Sequence, residues 1–428
     1  YTLWFNLLNM CFLVLFTLIK QHSNNKRFFM RLGPGLLVTA AFIGPGTITT
    51  ASVAGANFGF ALIWTLLFSV IATILLQSMA ARLGVATGHD LASALRTTIQ
   101  TPVFKALAAI LVISAIGIGS AAYEAGNLTG ASLGLQEIVP SVSPLLWTPL
   151  IAILSAVLLY TGKHKVIEGA LIVLVVLMSI VFISTLVMAA PSLTAILKGF
   201  IPSLPEESIT TVLALIGTTI VPYNLFLHSG VLAEKHDKNN DMQKVIKETN
   251  LDTGISITLG GVITLAILST ASVAFYGTEA GKISAANMAV QLEPLLGSMA
   301  HYFFALGLCA AGLTSAITAP LAGAYAVCGM LGWSTQMSNT HFKLVAITIL
   351  LFGAFVASLG LDPVAVIIFA QAANGLLLPI VTTYLVWLVN QKTVMGDYTN
   401  SMLVNLVTLP VLVLIFGLSS IKLFSLIF

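Results

Sequence analysis

Charged side chains are scarce in this sequence. Only 8% of its 428 residues are Asp, Glu, Lys or Arg, and 58% are hydrophobic, whereas about a quarter of the residues in soluble domains are charged. Many apolar runs reach the roughly 20 residues that a helix needs to cross a bilayer. The composition excludes a soluble protein and predicts an all-α integral membrane protein of the cell membrane. The net charge of +3 gives no indication of a nucleic-acid partner.

Cysteine and catalytic motifs are also lacking. Cys11, Cys309 and Cys328 each stand alone in an apolar run, so their spacing indicates neither a disulfide framework nor a metal motif. The sequence shows no paired nucleophile and base and no phosphate-binding loop. We therefore expect no enzymatic activity and no cofactor.

Eleven apolar segments follow one another along the chain. Fifteen of the 18 Lys and Arg residues fall in connections on one side of these segments, and the positive-inside rule makes that side cytoplasmic. The first span then begins in the cytoplasm and the C-terminus lies outside. The predicted spans are 33–57, 60–83, 104–127, 146–161, 166–189, 208–232, 252–276, 296–328, 342–358, 364–388 and 402–426.

A proline-containing external connection, at Pro202 and Pro205, divides the spans into two groups of five. We expect a first repeat at 30–200 (helices one to five), a second at 201–392 (helices six to ten), and an eleventh helix at 393–428. Residues 1–29 are either an extra helix or an over-extended start.

Helix-breaking residues interrupt two spans at corresponding positions. The clusters are Gly44-Pro45-Gly46-Thr47 in the first span and Val221-Pro222-Tyr223-Asn224 in the sixth. Proline removes a backbone donor and clashes with the preceding turn, so each helix should break there. With five helices in each half, the halves enter the membrane from opposite sides, and matched breaks then point to a binding site at mid-membrane. An ordinary proline kink is the alternative for either break alone.

Glu124 is the only acidic residue deep inside an apolar segment. A charge at bilayer depth costs about 2.5–3.5 kcal/mol even on the gentler scales, so such a residue is rare without a role. It is either a proton-coupling group or a neutral acid bonded to a neighbouring helix. Asn127, one turn further on, can pair with it on the same helix face. His228, past the second break, is either a proton relay or an interhelical hydrogen-bonding residue.

Short motifs over about nine-tenths of the chain resemble one family. They are Arg31-Leu-Gly-Pro-Gly35, Ala54-Gly-Ala-Asn-Phe-Gly-Phe-Ala-Leu-Ile-Trp64, Arg82-Leu-Gly-Val-Ala-Thr-Gly88, Glu124-Ala-Gly-Asn-Leu-Thr-Gly-Ala-Ser-Leu-Gly-Leu135, Leu227-His-Ser229, Leu296-Gly-Ser298 and Val394-Met-Gly-Asp397. These motifs resemble the Nramp family of proton-coupled divalent-metal transporters. The resemblance implies the LeuT-type fold, an inverted repeat of 5+5 helices plus an eleventh, with helices one and six broken. It also implies a secondary transporter that works by alternating access, with a metal cation, a proton and the lipid bilayer as partners.

The metal-binding motifs of that family are altered here. Its Asp-Pro-Gly-Asn becomes Gly44-Pro45-Gly46-Thr47, and its Met-Pro-His becomes Val221-Pro222-Tyr223. The resemblance assigns Gln371 to the same site and places Glu124 and Asn127 at acidic positions of the family's proton route. The ninth predicted span, 342–358, has no Arg to match the family's proton-route arginine.

These replacements change the chemistry expected of the site. A carboxylate about 4 Å from a divalent ion supplies roughly 8 kcal/mol at an effective dielectric of 20, and a thioether favours softer metals. Without both, the site offers mainly neutral groups for the substrate: Thr47, Thr218, Tyr223, Asn224, Gln371 and Asn374, with Thr47, Tyr223 and Gln371 as oxygen ligands if a metal binds.

Three functions remain open from these residues. A neutral, oxygen-rich site can hold a hard divalent cation that keeps part of its water. The same groups can hydrogen-bond a small organic solute carried by the same mechanism. A membrane sensor that has lost transport ranks below both, because no signalling domain follows the last predicted helix.

Overall fold

The structure, a computed structural model, describes residues 42–161, 176, 179–234, 241–278, 283 and 287–427. Segment 1–29 lies outside the described residues, as do residues 33–41 of the first predicted span and 166–175 and 177–178 of the fifth. The described ranges contain helices and their connections and no β-strand, which agrees with the predicted fold class.

The helices of seven or more residues are labelled α1 to α15 in chain order. Their bounds are α1 Pro45–Phe58, α2 Ile63–Thr87, α3 Leu91–Thr98, α4 Pro102–Val112, α5 Gly119–Ile138, α6 Pro144–Thr161, α7 Ser179–Ala189, α8 Leu193–Gly199, α9 Ile209–Thr219, α10 Pro222–Glu234, α11 Met242–Phe275, α12 Ala300–Leu331, α13 Thr340–Ala357, α14 Pro363–Val389 and α15 Met402–Ile427. Short helical turns at Met288–Leu292, Glu293–Leu296 and Gly297–Met299 precede α12, and others at Lys392–Met395 and Gly396–Tyr398 separate α14 from α15.

Local capping explains where several helices begin. Asp90 accepts a hydrogen bond from the Ser93 amide (2.9 Å) at the start of α3. Asp362 does the same for the Ala365 amide (2.7 Å) at the start of α14, whose first residue is Pro363. A carboxylate at the N-cap satisfies a free amide, and proline at the first helical position has no amide to satisfy.

Eight helical segments among the described residues are long and apolar enough to cross a membrane, or nine if α7 and α8, bent by 120°, form one span. In the segment formed by α9 and α10, 89% of the apolar stretch is buried inside the protein, but only 28% is buried in α15. The interrupted sixth span is therefore central, and the eleventh helix lies at the periphery.

Two helices run well past their predicted ends. The helix predicted at 252–276 begins at Met242, because Asp241 caps a polar extension through the amides of Gln243 and Lys244. The span predicted at 104–127 continues to Ile138. Within that span, residues Ile113–Ile118 form a π-helical turn that joins α4 to α5.

Glycines bring α5 and α12 into backbone contact. A Cβ atom added at Gly312 would lie 2.7 Å from the Asn127 carbonyl oxygen, and one at Gly134 would lie 2.7 Å from the Cys309 amide nitrogen. Small residues allow such close approach between membrane helices. Because α5 carries Glu124 and Asn127, this contact fixes both residues against α12.

Candidate substrate site at the two helix breaks

The first break lies immediately before α1. Phe42 is helical, Gly44 is extended (φ −113°, ψ −174°), and the helix resumes at Pro45. The carbonyl oxygen of Phe42 accepts hydrogen bonds from the Gly44 amide and from the Thr47 hydroxyl. The predicted break is therefore present, and Thr47 satisfies a carbonyl group that the break frees.

The second break separates α9 from α10. The helix ends at Thr219, Ile220 leaves helical geometry (φ −91°, ψ 46°), and α10 begins at Pro222. The Thr219 carbonyl group accepts a hydrogen bond from the Thr73 hydroxyl of α2 at 3.3 Å. Val221 and Asn224 are both buried.

The two breaks meet inside the protein. The hydroxyl oxygens of Thr47 and Thr218 lie 2.8 Å apart, and because Thr47 donates its proton to Phe42, Thr218 is the donor to Thr47. Gln371 of α14 closes the same place, since its side-chain amide lies where a Cβ atom of Gly46 would be. Three of the predicted site residues, Thr47, Thr218 and Gln371, are thus brought together by three helices.

The absent side chain of Gly44 faces two polar groups. A Cβ atom added there would lie 2.7 Å from Ser315 Oγ of α12 and 3.8 Å from Asn127 Oδ1 of α5. Both atoms are buried and have no hydrogen-bond partner among the described residues. The position where the resembled family has its Asp is therefore surrounded by neutral oxygen atoms.

Glu124 is linked to the Gly44 position through the side chain of Asn127. Its Oε2 accepts a hydrogen bond from Asn127 Nδ2 at 3.3 Å, which confirms the predicted pairing. Its Oε1 is buried without a partner, and a Cβ atom added at Gly353 of α13 would lie 2.6 Å from Glu124 Cγ. Asn127 therefore connects the only deeply buried carboxylate on α5 with the first break.

Tyr223 is part of an aromatic pair on the second break. The rings of Tyr123 and Tyr223 stand edge to face with centroids 5.0 Å apart. Both rings are completely buried. Tyr123, which precedes Glu124, thus joins α5 to the second break.

Two other predicted residues lie further from the meeting point. His228 Nδ1 and Gln77 Oε1 of α2 are 3.0 Å apart, which is an interhelical hydrogen bond. Asn374 faces the beginning of α5, since its Oδ1 would be 3.6 Å from a Cβ atom at Gly119. For His228 this contact matches the structural alternative, and its relay role stays a prediction.

Among the described residues, several buried polar atoms without hydrogen-bond partners belong to helices that form the breaks or pack against them. They are Glu124 Oε1, Asn127 Oδ1, Asn224 Oδ1, Ser315 Oγ, Gln371 Oε1 and Nε2, and Asn374 Nδ2. Leaving such a group unsatisfied costs about 1–3 kcal/mol, and native proteins usually satisfy them. This concentration of oxygen and amide groups therefore indicates a place that accepts a polar ligand.

The donor set fits a hard cation better than a soft one. The described residues contain no group of three or more His, Cys, Asp and Glu side chains that could hold a metal ion. Hydroxyl, amide and carbonyl oxygens suit Mg²⁺, Ca²⁺ and Mn²⁺, and Mg²⁺ usually keeps several waters. A cation here would retain part of its hydration shell.

Sequence reasoning missed two contributors to this site. Neither Ser315 nor Tyr123 was predicted as a site residue. A polar residue beside Gly312 and Thr314 on an otherwise apolar helix was the available signal for Ser315. For Tyr123 the signal was its position next to Glu124.

In this all-helical membrane bundle, two interrupted spans meet at a polar centre. This arrangement is that of a transporter with the LeuT-type fold. Residues 35–425 match the family model described as natural resistance-associated macrophage protein-like. The chain is 30% identical over 419 residues to the divalent metal cation transporter MntH of Nostoc sp., covering 93% of this chain and 92% of that protein. It belongs to the Nramp family.

Solved structures share the same fold. The Eremococcus coleocola manganese transporter, in complex with an aromatic bis-isothiourea substituted compound, has a TM-score of 0.76 at 24% identity, over 94% of this chain and 88% of that one. MhsT in complex with L-phenylalanine has a TM-score of 0.60 at 15% identity, over 92% of this chain and 98% of that one. The fold therefore occurs in proteins whose ligands differ widely.

Proposed function

We propose that this protein is a proton-coupled secondary transporter that carries a hard divalent cation, partly hydrated, by alternating access. The observation that carries the proposal is a group of buried oxygen atoms that have no hydrogen-bond partner among the described residues: Asn127 Oδ1 and Ser315 Oγ beside Gly44, and Gln371 Oε1 beside Gly46. The family relationship supports a divalent cation, and the Nostoc relative is named for one. The neutral ligands favour a cation that is not fully dehydrated.

Glu124 is the proposed coupling group. Among the described residues, its side chain has one hydrogen bond, accepted from Asn127 Nδ2, and Asn127 Oδ1 faces Gly44. A cation bound beside Gly44 would draw Asn127 Oδ1 toward itself and so alter the hydrogen bond to Glu124. Substrate binding and proton exchange would then be coupled through one amide side chain.

The proposed orientation places the start of the first span in the cytoplasm and the C-terminus outside. Lys343 Nζ donates to the Tyr160 carbonyl group at 2.9 Å, and both residues belong to the basic side. At the other side, Lys422 Nζ donates to Thr210 Oγ1 at 2.9 Å. These contacts support the sidedness on which the positive-inside argument depends.

Uptake by proteoliposomes tests the cation proposal. Purified protein should give saturable uptake of Mg²⁺ or Mn²⁺, and a pH-sensitive dye inside the vesicles should report proton movement that depends on the cation. Protein-free vesicles and the Gln371→Ala variant are the controls. Absence of saturable uptake for Mg²⁺, Mn²⁺ and Ca²⁺ would contradict the proposal.

A small organic solute is the second candidate, favoured by one specific observation. Gln371 Nε2 and Asn374 Nδ2 are buried donors without acceptors, and a metal cation cannot use an N–H donor. An organic solute with carbonyl or carboxylate oxygens can. Thermal stabilisation of the purified protein by such a solute, together with no cation uptake, would establish this candidate instead.

A further inference from the structure

A groove runs along one face of α11, beside Ile74 of α2. It has a volume of about 530 Å³ and is lined by Ile74 together with Asn250, Leu251, Gly254, Ile255, Thr258, Leu259 and Val262. The last seven residues recur at intervals of three and four, so they form one stripe along the helix. The Thr258 hydroxyl is used within the helix, since it donates to the Gly254 carbonyl group at 2.7 Å. The groove is therefore an apolar channel on the membrane-facing side.

A polar pocket continues this groove at one end. It has a volume of about 310 Å³ and is lined by Gln243, Ile246, Lys247, Asn250, Asp397 and Tyr398. Asn250 lines both cavities. The pocket lies at the start of α11, beside the turn Gly396–Tyr398 that follows α14. On the predicted topology this is the cytoplasmic surface.

The length of the groove matches one acyl chain. From Asn250 to Val262 a helix rises by about 18 Å at 1.5 Å per residue, and half of the hydrocarbon core is about 15 Å thick. A chain that enters at the cytoplasmic surface would therefore end near the middle of the bilayer. Gly254 keeps the groove open, because a Cβ atom added there has nothing within 4 Å.

The pocket presents groups of both charges. Lys247 supplies an ammonium cation with three donors, and Asp397 supplies a carboxylate acceptor. Asn250 Oδ1 is buried, and no described residue forms a hydrogen bond with it. The pocket therefore suits a headgroup with a phosphate for Lys247 and a hydrogen-bond-donating ammonium group for Asp397 and Asn250.

We propose that α11 carries a binding site for one phospholipid of the cytoplasmic leaflet, with a phosphoethanolamine headgroup. The acyl chain would occupy the groove between Asn250 and Val262. The phosphate would bind Lys247 and the primary ammonium group would bind Asp397. A phosphocholine headgroup cannot donate hydrogen bonds from its ammonium group, and a phosphoglycerol headgroup has no cation, so each would match only part of the pocket.

Native mass spectrometry of the delipidated protein tests the site. The protein is incubated with equal amounts of phosphatidylethanolamine, phosphatidylcholine and phosphatidylglycerol that carry the same acyl chains. We expect one phosphatidylethanolamine molecule to be retained, with about tenfold preference over either other lipid. Equal retention of the three lipids would mean a non-specific lipid shell only and would overturn the proposal.

Matched variants separate the groove from the headgroup pocket. Gly254→Leu should fill the groove and reduce retention of all three lipids. Gly417→Leu, at a helical glycine where an added Cβ atom likewise has no described atom within 4 Å, should leave retention unchanged. Asp397→Asn should lower retention of phosphatidylethanolamine alone. Lys247→Gln should lower retention of all three lipids, because each of them carries the phosphate. Equal lipid retention by the two glycine variants would refute the proposal. A preference for phosphatidylglycerol that Asp397→Asn leaves intact would also refute it.

Discussion

A carboxylate at Gly44 should strengthen divalent-cation binding. The change needs a second substitution, because an added Cβ atom would lie 2.7 Å from Ser315 Oγ. Replacing Ser315 by Ala removes that oxygen and leaves its Cβ atom 3.6 Å away, an ordinary contact. The double variant Gly44→Asp, Ser315→Ala therefore introduces a charge beside Asn127 with little steric cost.

The expected gain follows from electrostatics. A carboxylate about 4 Å from a divalent ion contributes roughly 8 kcal/mol at an effective dielectric of 20. Desolvation of a buried carboxylate offsets several kcal/mol of this. We expect a net gain of about 2.8 kcal/mol or more, which is about a hundredfold decrease in Kd.

Isothermal titration of Mn²⁺ into purified protein measures this difference. The matched control is Gly44→Asn, Ser315→Ala, which has the same shape without the charge, and Ser315→Ala alone reports the loss of one oxygen ligand. Equal Mn²⁺ affinity of the Asp and Asn variants would refute the reasoning, because it would place the cation away from Gly44.

Three further predictions concern coupling, pH and packing. Glu124→Gln should abolish the dye-detected proton movement that accompanies uptake while sparing substrate binding, and unchanged coupling would remove Glu124 from the mechanism. Burial raises the pKa of the Asp90 carboxyl group above its ordinary value, so its stabilising contribution is complete below the unfolded-state pKa and is lost as pH rises through the raised folded-state pKa. Asp90→Asn should therefore flatten the pH dependence of the free energy of unfolding. Asp90→Ala should cost about 1 kcal/mol through loss of the α3 cap. An unaltered pH profile in the Asn variant would exclude Asp90 as the source of that pH dependence. Gly217→Ala would place its Cβ atom 2.6 Å from the Gly375 amide nitrogen and still closer to the Gln371 carbonyl oxygen. The variant should therefore destabilise the folded protein by about 1–3 kcal/mol or more. Thermal unfolding measures this loss, and Gly417→Ala should be neutral in the same assay.

Much of the architecture could be predicted from the sequence. Apolar length predicted the membrane spans, eight of which are long apolar helices among the described residues. Proline chemistry predicted both breaks, because Pro45 and Pro222 cannot continue a regular helix. The pairing of Glu124 with Asn127 followed from helical spacing alone. Each of these inferences depends on neighbours within a few residues.

The rest of the candidate site depends on contacts between distant helices. Helical periodicity states which residues share a face, but it does not state which helix lies opposite. Ser315 faces Gly44 because α12 packs on α5 through Gly312, and nothing local to Ser315 encodes that contact. For the same reason the sequence did not predict that Asn374 would face Gly119.

The π-helical turn at Ile113–Ile118 sets the relative phase of the two halves of one span. A π turn contains one surplus residue compared with an α-helix, and each residue corresponds to about 100° of rotation. On α4 the exposed side chains Phe104, Leu107 and Ile110 face outward, while on α5 Glu124 faces inward. Deletion of a single residue in this turn would rotate one half against the other, so that either the lipid-facing surface or the carboxylate would point in the wrong direction.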